Sequence, residues 1–318
     1  MTAARKSAWI KKIARDAGFD GAGVAPAVRP GRADHYRQWL AEGRAGRMDY
    51  LHRHVEHRTD ARLLLPGARS VVVVSHNYHQ PAPPEPADGQ PRGRIAMYAW
   101  GRDYHRVVKK KLHAMIGRMR ETLDEPFEAR ACVDTAPLLE REFATAAGIG
   151  WIGKNTMVIH RTLGSYFVLG EIVTTLDLEY DEPANDRCGQ CTRCVDACPT
   201  GALDRPYRMD ASRCISYLTI ELRDEISEAL KPHMSNWVYG CDICQAVCPY
   251  NRKAPVTAEP DYAIREPAPY PSLTDLLSWR QDDYREKLTG SAMKRATLAM
   301  LQRNARVALD NLHRRRTP

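Results

Sequence analysis

The chain has 318 residues, 43% hydrophobic and 27% charged, with a net charge of +8. That length can bury a sizeable core and the composition excludes wholesale disorder, while the excess of cations suits a polyanion, nucleic acid above all, or simply a basic surface. The longest apolar run, Ile95 to Trp100, is too short to cross a bilayer, and Met1 to Lys12 has neither an apolar core nor a twin-arginine signal, so a cytoplasmic protein without membrane contact is expected.

In chain order, Trp9, Ile10, Ile13, Ala14 and Ala17 recur at helical spacing over Ala8 to Ala17, closed by Gly18. A second helix is expected over Ala33 to Ala41. Arg69 to Ser75 reads as a buried strand after the Pro66-Gly67 turn, and Pro81 to Pro91 as a surface loop. His105 to Leu123 is the clearest helix, with Val108, Leu112, Met115, Ile116, Met119 and Leu123 along one face. Phe127 to Val133 reads as a strand running into a helix start at Asp134-Thr135-Ala136-Pro137. Thr156 to His160 and Tyr166 to Thr174 read as paired strands around a turn at Leu163-Gly164. Strands mixed with helices in this way predict an α/β or α+β domain. Acidic residues with Pro183 and Asn185 mark a boundary, a Pro-rich stretch covers Pro255 to Pro271, and Met293 to Arg314 reads as a basic amphipathic helix.

Eight of the nine cysteines fall between Cys188 and Cys248. Cys188-x2-Cys191-x2-Cys194-x3-Cys198-Pro199 is the bacterial ferredoxin run, in which three thiolates serve one cubane and the fourth reaches a second. Cys241-x2-Cys244-x3-Cys248-Pro249, with Cys214 upstream, supplies the second set. The crossover assigns Cys188, Cys191, Cys194 and Cys248 to one 4Fe–4S cluster, and Cys198, Cys214, Cys241 and Cys244 to the other. The long step from Cys214 to Cys241 predicts an inserted helix around Thr219 to Lys231. Zinc is the plainer alternative, but paired CP endings with reciprocal fourth ligands argue against it. Cys132 stands apart in an apolar strand and reads as a packing residue.

The N-terminal region has no GxGxxG fingerprint and no P-loop. Three stretches there carry polar chemistry. Gly101-Arg102-Asp103-Tyr104-His105 precedes the long helix, where Asp103 would at least cap it. Asp134 sits where a strand gives way to the next element, and Asp134 or Thr135 could cap in turn. Gly150-Trp151-Ile152-Gly153-Lys154-Asn155-Thr156 could be no more than a turn.

Taken together, GRDYH (101–105), VDTAPLLERE (133–142), GWIGKNT (150–156), GSYFVLGEI (164–172), CGQCTRCVDACPTGAL (188–203), CISYLTIE (214–221) and GCDICQAVCP (240–249) resemble the epoxyqueuosine reductases. The resemblance implies an α+β fold of three parts: a cobalamin-binding α/β domain (1–180), a ferredoxin-like domain with two 4Fe–4S clusters (181–255), and a short HEAT-like helical segment (256–318). Arg303-Asn304-Ala305 resembles the first HEAT-like helix of that family, whose members often continue with more. It further implies an oxidoreductase that reduces epoxyqueuosine to queuosine at the wobble position of transfer RNA, with cobalamin fed by the clusters.

Carried over by position, Asp134 matches the family's proton donor, a carboxyl whose pKa apolar neighbours and the cobalamin would raise. Tyr104 and His105 are implied as further substrate or proton-handling groups. Arg58, Asp134, Val158, Leu169, Ser216 and Asp242 fall at positions similar to cobalamin contacts, and Arg223 near a transfer-RNA contact. Implied partners are the modified transfer RNA and an external donor of the ferredoxin or flavodoxin type, acting on a monomer. Lys109 to Lys111, Arg303, Arg306 and Arg314 to Arg316 are candidate phosphate contacts, or else a solvated basic face. The rival readings are a cobalamin enzyme resembling the reductive dehalogenases, acting on a small molecule, and an electron carrier with no substrate of its own.

Overall fold

The structure, a computed structural model, describes residues 1–316, with side chains through residue 314. Its strands are β1 (Gly21–Pro26), β2 (Ser70–Asn77), β3 (Arg94–Ile95), β4 (Ala129–Cys132), β5 (Trp151–Ile152), β6 (Val158–Ile159), β7 (Phe167–Thr174) and β8 (Trp237–Tyr239). Four of them form an antiparallel sheet in the order β1-β2-β7-β4.

The unbroken apolar run Val71 to Val74 follows from helices on both faces of that sheet. Side chains alternate along a strand. Val72 and Val74 therefore meet Ile10 and Ile13 of the helix Ala3–Asp16, and Leu112 and Met115 of the helix Tyr104–Thr122. Val71 and Val73 meet Leu138, Phe143 and Ala144 on the opposite side. Each such side chain contributes about 1.5–3 kcal/mol by leaving water. Gly170 lets the long helix approach β7: a Cβ there would lie 2.6 Å from Val108 Cγ1.

The helix Ala33–Ala41 lies where its spacing predicts, and the first helix starts five residues early because Thr2 caps it by accepting from Arg5 N–H. Other expectations are corrected. No helix starts at Asp134: the chain turns there with φ +47° and the helix begins at Glu140. The pairing of 156–160 with 166–174 is also wrong, since β6 pairs with β5 while β7 lies in the main sheet. Periodicity identified both strands but could not show which neighbour each would take. The inserted helix at Thr219 to Lys231 does not form. A helix at Ile215–Ile220, a turn and a 3-10 turn at Lys231–Met234 fill that step, because β8 must come back to pair in parallel with β3. The last helix runs Leu298–Arg316, preceded by a separate 3-10 turn at Ala292–Arg295.

A third apolar cluster ties this terminal helix, through Met300, Leu301, Ala305 and Ala308, to Ile95, Trp100, Val107 and Tyr239. Residues beyond 256 therefore share a core with the segment that leads into the long helix. Among the described residues no helix is long and apolar enough to cross a membrane.

Candidate active site

The short helices Arg193–Asp196 and Ile243–Ala246 pack on each other and bring the two cysteine loops together. All nine cysteines are free thiols. Eight gather in two neighbourhoods. Burial pushes the Cys248 thiol up, with Cys188 and Cys191 adding to it, and Cys194 likewise feels burial, Cys188 and Cys248. Burial and Cys198 raise Cys214, while burial, Cys244 and Cys214 raise Cys241, and burial, Cys214 and Asp242 raise Cys244. Cys194 is close enough to act on Cys244, so the neighbourhoods adjoin. Crowding thiols in this way favours their neutral form until a cation takes the protons' place. Among the described residues no three His, Cys, Asp or Glu side chains converge as a single metal ion requires. A 4Fe–4S cubane carries iron at alternate corners with one thiolate to each, and so holds its thiolates farther apart than a single ion does.

The GWIGKNT stretch is a hairpin, β5 to β6, that clamps both loops. Trp151 Nε1 donates to Cys188 Sγ at 3.4 Å, Lys154 Nζ to the Gly189 carbonyl at 2.6 Å, and Asn155 Nδ2 to the Cys244 carbonyl at 3.5 Å. Gly150 is required for it, since a Cβ there would stand 2.4 Å from the Ile159 carbonyl oxygen.

The second centre lies at the start of the long helix. Asp103 caps that helix by accepting from His105 N–H at 3.0 Å, and its carboxylate also takes His105 Nδ1 at 2.7 Å. The other ring nitrogen, Nε2, is 3.0 Å from Asp134 Oδ2. An imidazole between two carboxylates holds its proton: burial would lower the His105 pKa, but the bonds to Asp103 and Asp134 prevail and raise it to about 9. Tyr104 stacks on the imidazole with centroids 4.1 Å apart. Burial would raise the Asp134 pKa, yet the His105 imidazolium outweighs it, with help from the Tyr104 hydroxyl and Arg295, and the pKa is lowered. Asp134 is thus a carboxylate here, whereas the resemblance implies a carboxyl raised by apolar neighbours and the cobalamin. The proton of the pair rests on His105.

Beside this pair opens a cavity of about 580 Å³, flanked by Val133 and Thr135. Arg106, Lys109, Arg130, Lys294 and Arg295 line it against the single carboxylate of Asp103. Arg295 is held by a two-pronged pair with Glu221, at 2.9 and 2.8 Å, and lies over the Tyr50 ring at 5.3 Å.

Residues 58–135 match the family model described as "Epoxyqueuosine reductase QueG, DUF1730", and residues 187–251 match the 4Fe-4S double cluster binding domain. Epoxyqueuosine reductases of Gloeobacter violaceus and Xanthomonas campestris pv. campestris are 43% and 40% identical to it, over 95% and 96% of this chain and 95% and 86% of theirs. The chain belongs to the epoxyqueuosine reductase family. A crystal structure of an epoxyqueuosine reductase with an epoxyqueuosine-modified tRNA-Tyr stem loop matches it with a TM-score of 0.89 at 31% identity, covering 96% of this chain and 81% of that one. Like its relatives, this member of the family is an oxidoreductase, and it carries the double 4Fe–4S binding domain.

Within this member of the family, the other candidate residues are spread over both centres. Arg58 lies in the short helix Val55–Thr59, with its Nε buried and without a hydrogen-bond partner. Val158 is buried in β6, and Leu169 is half-buried in β7. Ser216 hydrogen-bonds the Cys214 thiol, and Asp242 accepts from Met97 N–H at 2.7 Å. Arg223 is exposed beside Met300 and the Arg295 carbonyl.

Two candidate phosphate contacts are spent internally. Arg303 is buried at 8% exposure and donates to the Leu218, Leu222 and Asp224 carbonyls, while Lys111 pairs with Glu259 at 2.8 Å. Arg306 and Arg314 are exposed; the side chains of Arg315 and Arg316 lie outside the described residues. Sequence reasoning missed Arg295, Glu140 and Glu171. The last had a signal, a lone carboxylate inside the apolar strand Phe167–Thr174.

Proposed function

We propose that this protein reduces epoxyqueuosine to queuosine at the wobble nucleoside of transfer RNA, with a cobalamin held between an N-terminal domain (1–180) and a two-cluster domain (181–255). Residues 256–318 would be its short HEAT-like segment, from which Ser291, Ala292, Lys294 and Arg295 line the active-site cavity. The observation that carries the reading is the Asp103–His105–Asp134 chain at the edge of a cation-lined cavity. An epoxide oxygen leaves as water only if protonated, and a polyanionic substrate needs cations around the site that receives it.

The residues present fit the cofactors the family implies. Eight thiols in two adjoining neighbourhoods suit two cubanes, one held by Cys188, Cys191, Cys194 and Cys248 and the other by Cys198, Cys214, Cys241 and Cys244. The orphaned Arg58 Nε is a buried donor awaiting an anionic or carbonyl acceptor, such as a corrinoid side chain offers. Val158, Leu169, Ser216 and Asp242 would complete that contact surface. When bound, cobalamin supplies the two-electron reduction at the epoxide carbon, with the electrons arriving singly through the clusters from an external ferredoxin or flavodoxin type donor.

The chain's own part is orientation and protons. His105 stores one of the two protons at Nε2 up to a pH of about 9, and Asp134 Oδ2 takes it and presents it to the leaving oxygen. The second proton that completes water reaches the same exposed carboxylate from solvent. Asp103 keeps the imidazole oriented, and the Tyr104 ring packs against it. Arg106, Lys109, Arg130, Lys294 and Arg295 receive the phosphates around the modified nucleoside, with Arg223 at their margin. The protein acts as a monomer in the cytoplasm.

The test is anaerobic turnover of transfer RNA bearing epoxyqueuosine by cluster-loaded protein with cobalamin and a strong reductant, followed by mass spectrometry of the nucleosides. The expected product has lost one oxygen mass, depends on cobalamin and disappears in Asp134→Asn. No conversion with both cofactors bound would overturn the reading.

A further inference from the structure

Asp134 holds its position against a backbone cost. Its φ of +47° lies in the left-handed region that residues with a side chain rarely adopt, and such a conformation persists only where the surroundings over-determine it. His105 fixes the side chain. The backbone is fixed from a different element: the Asp134 N–H donates to Glu140 Oε1. Glu140 is the first residue of the helix Glu140–Ala146, which Phe143 and Ala144, 2% and 0% exposed, anchor on the sheet.

Behind Glu140 stands a second carboxyl. Glu171 lies on β7 in register with Cys132, is 0% exposed, and has no well-formed hydrogen bond at either oxygen. The groups that face the pair are Asp134, the Cys132 thiol and Arg141, the last turned toward the Thr156 carbonyl. Two neighbouring carboxylates cannot both ionise in such a place. Burial, then the charge of its neighbours, pushes Glu171 well up and Glu140 to about 7. Glu171 therefore keeps the proton, and Glu140 is left free to accept from the backbone.

We infer that Glu140, backed by Glu171, is a positioning residue of the active site: it latches the Asp134 backbone N–H and so holds Asp134 against His105. The latch rests on the proposed reaction only for its kinetic consequence, because its geometry can be read without turnover.

His105 is the reporter. Its elevated pKa depends on Asp134, and the other groups around it, Asp103 and the Tyr104 ring, stay in place in every variant used. Cluster-loaded protein labelled at histidine 13Cε1, free of cobalamin, is titrated by NMR, with Asp134→Asn as the benchmark. Glu140→Ala is expected to lower the His105 midpoint to that of Asp134→Asn. Glu140→Asp, one methylene too short to reach, should do the same while retaining the charge, and covers the case in which the alanine variant fails to fold. Glu140→Gln, whose amide oxygen can accept the same N–H, and Glu171→Gln, an isostere of the protonated acid, should keep the wild-type midpoint. In turnover, Glu140→Asp should lower kcat and leave KM for the modified transfer RNA unchanged. A wild-type His105 midpoint in both Glu140→Ala and Glu140→Asp would overturn the latch. Absence of turnover in the wild type would instead strike the proposed reaction and leave the titration readable.

Discussion

Cys188, Cys191 and Cys194 come from one short loop, whereas Asp134 meets His105 from another element, Glu140 from a third and Arg295 from the far end of the chain. The first region assembles its chemistry locally and needs the fold only to join two loops. The second exists only once the sheet, the long helix and the C-terminal segment have packed. Damage should accordingly be confined in the cysteine loops and distributed around Asp134.

The largest effect should come from breaking the local region. Cys244→Ser removes a ligand from one neighbourhood, and about half the iron should be lost on anaerobic reconstitution, with turnover abolished. Cys132→Ser should change neither. That ninth cysteine is 1% exposed, and burial, then Glu171, pushes its thiol up to about 12, so it packs the sheet as an inert group. Equal iron loss in both variants would dissolve the distinction between the eight and the ninth.

Next comes the distributed region. Asp134→Asn should keep the full iron content and lower kcat by about 10²–10⁴-fold, the usual worth of a positioned acid. If the asparagine variant also lost iron, the two regions would be coupled rather than separate.

That contrast also explains what could be read in advance. Ligand spacing within a loop is a sequence property, so a double-cluster domain was legible in CxxCxxC and its partner set, and residues 187–251 match one. The helix from Tyr104 was legible too, because its apolar face and the Asp103 cap are local. Asp134 was legible as a polar residue at a strand end and took its role from the resemblance; its lowered pKa was not legible, because nothing nearby in sequence announces that His105 will reach it. Glu140 is one of three charged residues in LLERE, with nothing in that stretch to set it apart. Strand partners failed for the same reason, since β6 could be recognised but its pairing with β5 depends on where the cysteine loops dock.

A smaller effect is expected from pH. His105 is raised from 6.5 to about 9, so the folded state binds its proton more tightly than the unfolded chain. That stabilisation is fully present below pH 6.5 and is lost as the pH rises through about 9. Glu140, raised from 4.5 to about 7, acts in the same sense over the lower window: the folded state holds a proton the unfolded chain has released. Urea midpoints should therefore fall as the pH is raised from about 5 to 9 at constant salt, and Asp134→Asn should flatten the upper half of that fall. A midpoint that rises across this range would contradict the proton assignment of the acid site.

The smallest effect bears on where the hairpin meets the clusters. Trp151 is 3% exposed, rests edge-on against Tyr250 with centroids 4.8 Å apart, and donates its indole N–H to Cys188 Sγ. A hydrogen bond to a cluster sulfur favours the reduced state, which carries one more negative charge, and so raises the potential. Trp151→Phe keeps an aromatic ring on Tyr250 and removes only the donor. The potential of the cluster that Cys188 serves should shift to a more negative value, while that of the cluster served by Cys241 and Cys244 stays where it was. Potentiometric titration followed by EPR resolves the two. An equal shift in both would mean that the hairpin tunes the pair as one unit through Lys154 and Asn155, and the cysteine loops would then be less local in their function than in their assembly.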